Sequence, residues 1–521
     1  DSDKTGHHWF ETDAAGNILD VEGNIVQDLN DHTERTGINV SETEWHDKAY
    51  PSSMPLYDHL DQFFDAGRYM TQYIAAEGRS GSTNYRASFT YQDDQGVMPD
   101  WNNGAQLKGF RLNVDNEIRD GLNVGLSTYY SKSDQEDLGG SPFYALAFQN
   151  PFVNLLRRDP ATIGAPHCPE EGCLVNVPDP FNLEENPLYS LELLKKFDDR
   201  SRFLGSAIVN WAPLTWFELE GNFSMDRRDY FQSNVTPKGY ETEQSLSTGS
   251  INKSQAIEND INASITAAFN KAFGELTTRT RLRYLMEDGH LESFSVTGRD
   301  QQAYGVPVVD NAAEYDGGSS ISDVRSEGYY FISALDYRGK YVGDFLIRRD
   351  GSSLFGPDER WQTYYRAAGA WRLAQEDWWP FEAINEFKLR YSIGTAGGRP
   401  RFAAQYETYS VNSSGIFPVS LGNKQLKPEL STEQEFGLEF VLFNQVSGGA
   451  MYAWNTVEDQ LLRQPLLSPA GFNSQWVNGG TLESKTYEVY LETALLDIGS
   501  SRRRATVAQG EDTCKFQEVE L

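Results

Sequence analysis

Phe110-Arg111-Leu112-Asn113-Val114-Asp115-Asn116-Glu117-Ile118-Arg119-Asp120-Gly121-Leu122-Asn123-Val124-Gly125-Leu126-Ser127-Thr128-Tyr129-Tyr130 is the stretch that decides how this chain is read. Phe110, Leu112 and Val114 alternate with Arg111, Asn113 and Asp115. Leu122, Val124, Leu126, Thr128 and Tyr130 then alternate with Asn123, Gly125, Ser127, Tyr129 and Ser131. A period of two is the signature of a strand with one apolar and one polar face. Asp120-Gly121 between the two blocks is a tight-turn pair, so the stretch predicts a β-hairpin.

The unit recurs outward from that hairpin. Phe217, Leu219, Phe223 and Met225 alternate with Glu218, Glu220, Asn222, Ser224 and Asp226, after a short turn at Ala212-Pro213-Leu214-Thr215. Ile261, Ala263, Ile265, Ala267 and Phe269 form another apolar row. Leu276, Leu282, Tyr284 and Met286 alternate with Thr277, Arg279, Arg281 and Arg283, and further rows run through Phe387–Ile393, Phe436–Leu442 and Tyr487–Leu491. Roughly 15–16 such strands are expected between residues 69 and 495. Short turns alternate with long polar segments at 135–200, 234–253, 299–321 and 397–428. One-sided loop length of this kind, with strands well beyond ten residues, is what a membrane barrel shows. No fixed repeat period suggests a propeller or solenoid.

Composition is compatible with that reading. The 521 residues are 39% hydrophobic, and mean hydropathy is −0.56. No run of 18 apolar residues offers a transmembrane helix, whereas a membrane strand needs only about 9–11 residues with alternate ones apolar. The 27 Tyr, 29 Phe and 11 Trp would furnish aromatic girdles. They would equally suit a soluble all-β protein. A net charge of −31 argues against nucleic acid as a partner, which calls for a basic surface.

No HExxH, GxSxG, P-loop, strand-following GxGxxG or EF-hand loop occurs, so neither catalytic residues nor a resident cofactor are expected. Cys168 and Cys173 lie close together and Cys514 stands apart. The first two are candidates for a local disulfide or for two free thiols. With His167 they match no standard zinc spacing. Arg279, Arg281 and Arg283 form a basic stripe on one strand face. It either meets an anionic or polar solute in a barrel lumen or pairs with acidic neighbours. Trp378-Trp379-Pro380-Phe381 reads as an interface cluster beside a short turn, or as a ligand platform.

These residues meet a family pattern. Ser82-Thr83-Asn84-Tyr85-Arg86-Ala87-Ser88 through Asp94-Gln95-Gly96-Val97, then Arg349-Asp350-Gly351-Ser352-Ser353-Leu354-Phe355-Gly356-Pro357 with Arg360-Trp361, follow one another in order. Ala370-Trp371-Arg372-Leu373, Lys388-Leu389-Arg390-Tyr391-Ser392-Ile393-Gly394, Leu421-Gly422-Asn423, Leu426-Lys427-Pro428-Glu429, Glu435-Phe436-Gly437-Leu438-Glu439, Gly471-Phe472, Asn478-Gly479-Gly480 and Tyr487-Glu488 continue the set. The chain resembles the SusC/RagA-type TonB-dependent outer-membrane transporters over about residues 45–495.

The resemblance implies an all-β, antiparallel transmembrane barrel of 22 strands, of which this chain would hold roughly 15–16. It also implies an internal plug, TonB–ExbB–ExbD as energy source, a SusD-like surface lipoprotein as lid, surrounding outer-membrane lipid, and oligosaccharide or peptide cargo. Residues 1–68 are expected as a polar early extracellular segment, 69–499 as partial barrel and 500–521 as an unmatched tail. The chain opens Asp1-Ser2-Asp3-Lys4 without a leader, and plug and closing strands are expected outside it. An open sheet with free edges near Tyr69–Gly78 and Leu482–Glu492 would follow, against the alternative of a small closed barrel. Phe217, Leu219, Phe223 and Met225 are expected to face lipid, and Glu218, Glu220 and Asn222 the lumen. The long 135–200 excursion, helical around Leu188–Lys196, is the expected cargo or lid contact. The competing function is a soluble or surface-attached glycan-binding protein; a β-rich hydrolase stands behind both.

Overall fold

The computed structural model describes residues 13–20, 22–26, 55–98, 104–136, 142–149, 151, 153–176, 185–241, 246–412, 415–498 and 501–517. A short helix α1 (His59–Phe63) precedes four strands: β1 (Tyr69–Ser80), β2 (Thr83–Asp94), β3 (Ala105–Arg119) and β4 (Leu122–Glu136). Helices α2 (Pro142–Phe148) and α3 (Pro187–Leu193) lie in the connection to β5 (Lys195–Leu214). Then follow β6 (Phe217–Thr236), β7 (Ser250–Phe273), β8 (Leu276–Gln301), β9 (Ala312–Tyr337), β10 (Tyr341–Ser352), β11 (Trp361–Arg372) and β12 (Ile384–Gly398). The rest are β13 (Thr408–Asn412), β14 (Gly415–Leu421), β15 (Glu429–Leu442), β16 (Val446–Glu458), β17 (Leu461–Pro465), β18 (Ser474–Asn478), β19 (Thr481–Ile498) and β20 (Ser501–Gln517).

Sixteen strands join one antiparallel meander in the order β1 to β12, then β15, β16, β19 and β20. Among the described residues no ladder joins β1 to β20, so the sheet is open. At the β3–β4 hairpin Gly121 takes a φ of +73°, and a β-carbon there would lie 2.6 Å from the Ala212 carbonyl oxygen. Only glycine relieves both constraints.

Three expectations need correction. Ser501–Gln517 was expected to match nothing, yet it pairs with β19 along nearly its whole length, so the sheet does not end at Glu492. Backbone ladders do not need alternating side chains, which is why the pattern missed it. The expected loop at 299–321 shrinks to 302–311, because β9 starts at Ala312; the β5–β6 turn likewise falls at residues 215–216, and β5 begins at Lys195, inside the expected excursion. Finally, the long connections hold a second, four-stranded sheet, β13-β14-β18-β17, with a parallel β14–β18 contact.

Register assigns the two faces of the main sheet. Leu219, Ala267, Leu282, Phe331 and Ile347 stand directly opposite one another on successive strands β6 to β10. Among the described residues no layer covers that row: Leu282 is 48% exposed, Phe331 43% and Ile347 54%. A soluble protein seldom bares so continuous an apolar surface. Phe217, Leu219, Phe223 and Met225 share this face, while Glu218, Glu220 and Asn222 fall on the other.

Aromatic rows bound the apolar band. Near the short turns, Tyr337, Tyr341 and Trp371 follow one another with ring centroids 6.2 and 6.1 Å apart. Trp378, Trp379, Phe381 and Phe387 continue that cluster, so the Trp378–Phe381 segment sits beside a short turn, among rings. Towards the long connections stand Tyr284, Tyr329 and Trp361, with centroids 5.2 and 6.0 Å apart. Tyr337 and Tyr329 are eight residues apart on β9, or about 26 Å along the strand. Beyond the upper row the same face turns polar, with Glu327 and then the Arg325–Asp288 ion pair at 2.7 Å. Strands of membrane barrels tilt by about 35–45°, so the band is roughly 20 Å tall, and an apolar band of this kind between aromatic girdles is the exterior of a membrane barrel.

The packed core lies elsewhere, at the end with the long connections. Phe63, Val153, Leu155 and Leu188 are fully buried there, with Leu174, Tyr189 and Tyr240 around them. Ile18 and Val26, beside the small Leu19–Ile25 bridge of the N-terminal segment, belong to the same cluster.

Candidate functional site

The polar face of the wall gathers the candidate groups. Glu220, Thr266, Arg283, Tyr330, Arg348 and Tyr364 form one row across β6 to β11. The next row brings Glu218, Ala268, Arg281, Ile332, Leu346 and Arg366 together, and Arg279 lies opposite Asn270 and Ala334. The stripe Arg279, Arg281 and Arg283 therefore faces away from the apolar band, and all three side chains are exposed.

Most arginines on this face are neutralised. Arg202 meets Asp226 at 2.6 Å, Arg228 meets Asp260 at 2.8 Å, Arg372 meets Glu386 at 2.7 Å and Arg390 meets Glu435 at 2.5 Å. Arg366 pairs with Asp344. The stripe differs. Arg283 donates to the Ser264 hydroxyl at 3.4 Å, and among the described residues no carboxylate lies within 4.0 Å of Arg279, Arg281 or Arg283. Among the described residues, acidic neighbours on the adjacent strands do not pair with the stripe.

Above the stripe a polar cavity of about 220 Å³ opens on the same face, lined by Glu287, Tyr330, Arg348, Asp350, Tyr364 and Arg399 among others. Arg348 reaches Asp350 at 3.4 Å and lies over the Tyr364 ring at 4.9 Å. Arg399 bonds the Ser326 hydroxyl at 2.9 Å and meets Glu287 at 3.4 Å. The Oδ1 of Asp350 is buried, with no hydrogen-bond partner among the described residues. Gly397 makes room for Tyr364, whose ring occupies the space a β-carbon would need. Alternation alone puts Arg348 and Asp350 on one face and Arg349 on the other. That alternation is legible at Arg348-Arg349-Asp350, where the Arg349–Pro357 segment begins.

The segment also folds the β10–β11 connection back onto the sheet. Ser352 and Phe355 are buried, the Ser353 hydroxyl accepts the Arg325 N–H at 2.9 Å, and Gln405 donates to the Ser353 carbonyl at 2.8 Å. Neutralised carboxylates, guanidiniums and phenols packed this way can bind hydroxyl, amide or carboxylate groups.

Comparisons with known proteins decide the family. A model described as TonB dependent receptor-like, beta-barrel matches residues 176–508. The chain belongs to the TonB-dependent receptor β-barrel family. A TonB-dependent receptor of Formosa agariphila is 25% identical over 90% of this chain and 48% of its own length. The TonB-dependent receptor SusC of Bacteroides thetaiotaomicron is 21% identical over 82% of this chain and 45% of its own. The chain thus spans about half the length of these relatives. The solved RagAB peptide transporter superposes with a TM-score of 0.72 at 16% identity, covering 89% of this chain and 52% of that one, which shows the shared fold. The family is one of bacterial outer-membrane transporters, not of enzymes. The match extends to residue 508, into β20.

In this member of the β-barrel family the excursion between β4 and β5 is a small folded unit. Cys168 and Cys173 are joined by a disulfide, with Cα atoms 4.8 Å apart. That bond withdraws both sulfurs from any metal chemistry with the adjacent His167. Fully buried Asn186 ties the unit: its amide donates to the carbonyls of Leu155 at 2.8 Å and Val175 at 3.0 Å, and its oxygen caps α3 at Leu188 N–H. The helix spans Pro187–Leu193, and Lys195 already belongs to β5.

Burial shifts the ionisable groups here. It pushes the Tyr189 hydroxyl up to about 12, and that oxygen accepts the Glu241 N–H at 2.8 Å. Burial likewise raises Tyr240 and Glu241 and lowers His59 and His167. Exposed Phe143, Tyr144 and Phe148 on α2, and Val411 and Ile416 on the small sheet, were not singled out in the sequence, because neither segment shows a long period.

Proposed function

We propose that the complete protein imports oligosaccharides or peptides through the outer membrane, driven by TonB–ExbB–ExbD through a plug outside this chain. The observation that supports this reading most is the division of the sheet. One face is an apolar band between aromatic rows, and the other carries the Arg279–Arg281–Arg283 stripe and the Asp350 cavity. A wall so divided separates lipid from a polar passage. The stripe would meet anionic or strongly polar groups of the cargo or of the plug, since guanidiniums hydrogen-bond carboxylates in pairs. The excursion and small sheet, with their exposed rings, would contact cargo and a SusD-like lipoprotein lid. RagAB, by its name a peptide transporter, is the precedent on the peptide side, and SusC is the relative of the same type.

The test is uptake of labelled oligosaccharides and peptides by cells carrying the full-length gene, with and without a protonophore. Energy-dependent uptake of either class that disappears when the gene is deleted supports the proposal. Uptake that survives collapse of the proton gradient marks a passive pore instead.

A further inference from the structure

The lipid-facing side of the wall holds a charge that the import reading does not use. Arg349 lies in register with Tyr329 and Tyr284 on the apolar face, and its side chain is exposed. Among the described residues no carboxylate comes within 4.0 Å of it. Its described neighbour is the Trp361 ring, 6.0 Å from the guanidinium carbon. Glu327, one row higher, also faces outward without reaching it. A guanidinium near the membrane interface lifts its head towards the polar layer while its stem stays in hydrocarbon.

Below Arg349 runs an apolar groove of about 530 Å³ on the same face. Its row is Leu219, Ala267, Leu282, Phe331 and Ile347. Small Ala267 keeps the groove open, and Gly221 beside it faces empty space. The groove crosses five strands, β6 to β10. Four spacings of about 4.8 Å make roughly 19 Å. It also runs obliquely through the membrane. Leu219 is two residues into β6 from its short turn, whereas Arg349 is eight residues into β10 from its own. One leaflet contributes about half of the roughly 30 Å hydrocarbon core, so the groove is of acyl-chain length.

We infer that this face binds one membrane lipid of the outer leaflet, its anionic phosphate headgroup on Arg349 and an acyl chain laid along the groove towards Ala267. Charge and shape coincide here. The guanidinium is a preferred phosphate partner because its planar N–H pairs match phosphate oxygens. Tyr284 and Tyr329 flank the point where headgroup meets chain. The site is independent of cargo, plug and lid.

The full-length protein, extracted and delipidated in detergent, is titrated with mixed micelles of dioleoylphosphatidylglycerol or dioleoylphosphatidylcholine, and retained lipid is counted by native mass spectrometry. Wild type is expected to retain the anionic lipid about 10-fold more tightly than the zwitterionic one. Arg349→Gln is expected to lose that preference. Ala267→Phe, which fills the groove and leaves the charge, is expected to lose retention of both. Heat-modifiable gel mobility confirms that each variant folds. Equal retention of the two lipids by wild type overturns the inference, whatever the variants do. So does an Arg349→Gln or Ala267→Phe protein that binds as wild type does, or displacement of the lipid by millimolar inorganic phosphate.

Discussion

The excursion between β4 and β5 and the wall formed by β6 to β10 bury their apolar residues in opposite ways. In the excursion Leu155 and Leu188 are fully buried against each other's neighbours, as in a soluble domain. In the wall Leu282, Phe331 and Ile347 are about half exposed, although they are equally apolar. The difference is the solvent. The excursion stands in water and must build its own interior, while the wall uses hydrocarbon as its interior and spends its polar groups on the opposite face. The same substitution should therefore have different consequences in the two places.

The largest contrast is truncation. Leu188→Ala should destabilise the excursion by about 2–5 kcal/mol through the cavity it leaves. Leu282→Ala should cost less than about 1 kcal/mol, since lipid fills the space. Proteolysis within the excursion and heat-modifiability of the barrel report the two separately; equal costs would erase the distinction. Charge insertion tests the facing of the wall. Phe223→Arg, well inside the apolar band, should cost about 2–4 kcal/mol in assembly yield, and Leu219→Arg, close to the short turn, should cost less. Assembly of Phe223→Arg at wild-type level would mean that the facing of β6 is inverted.

Removing the disulfide is a smaller, local change. Cys168→Ser with Cys173→Ser closes no loop, and for so short a loop the loss is about 2 kcal/mol. It should appear as earlier cleavage between residues 153 and 176 with uptake of heat through the barrel transition unchanged. A shift of the barrel transition itself would show that wall and excursion are one cooperative unit.

The smallest effect is pH. Burial holds His59 and His167 below their ordinary 6.5 in the folded state. Above 6.5 both states are neutral, so stability is full. As pH falls below 6.5 the unfolded chain takes up protons first, and the excursion loses stability until the folded values are reached. Glu241 acts in the opposite sense: its raised folded pKa means that stability is gained as pH falls towards its ordinary 4.5. Hydrogen exchange of the excursion between pH 7.5 and 5 should accelerate relative to the wall once intrinsic rates are divided out. A His59→Gln, His167→Gln variant should lose that acceleration and keep only the opposite response of Glu241.

Where a strand has one wet and one apolar side, the sequence was readable. Phe110–Val114, Leu122–Tyr130 and the Arg279–Arg283 stripe all lie on the faces their alternation assigns. Where both sides are wet, alternation disappears and the reading stops. The upper part of β9, with Asp316-Gly317-Gly318-Ser319-Ser320, was mistaken for loop for that reason. Ser501–Gln517 is held in β20 by its ladder to β19, a relation between distant segments that no local pattern records. The docking of Ile18 and Val26 into the excursion core was equally hidden, since those two residues carry no strand of their own length to betray it. In the candidate site the stripe was visible, whereas the cavity was not: Glu287 and Arg399 meet only because β8 and the end of β12 converge.

If the proposed import reading holds, β8 separates lipid from a polar passage. Spin labels at single cysteines along residues 279–284 of the full-length protein, with Cys514→Ser, measure it directly. Collisions with oxygen, which partitions into lipid, should peak at 280, 282 and 284. Collisions with a water-soluble nickel chelate should peak at 279, 281 and 283. Opposite phase, or no alternation, would contradict the account.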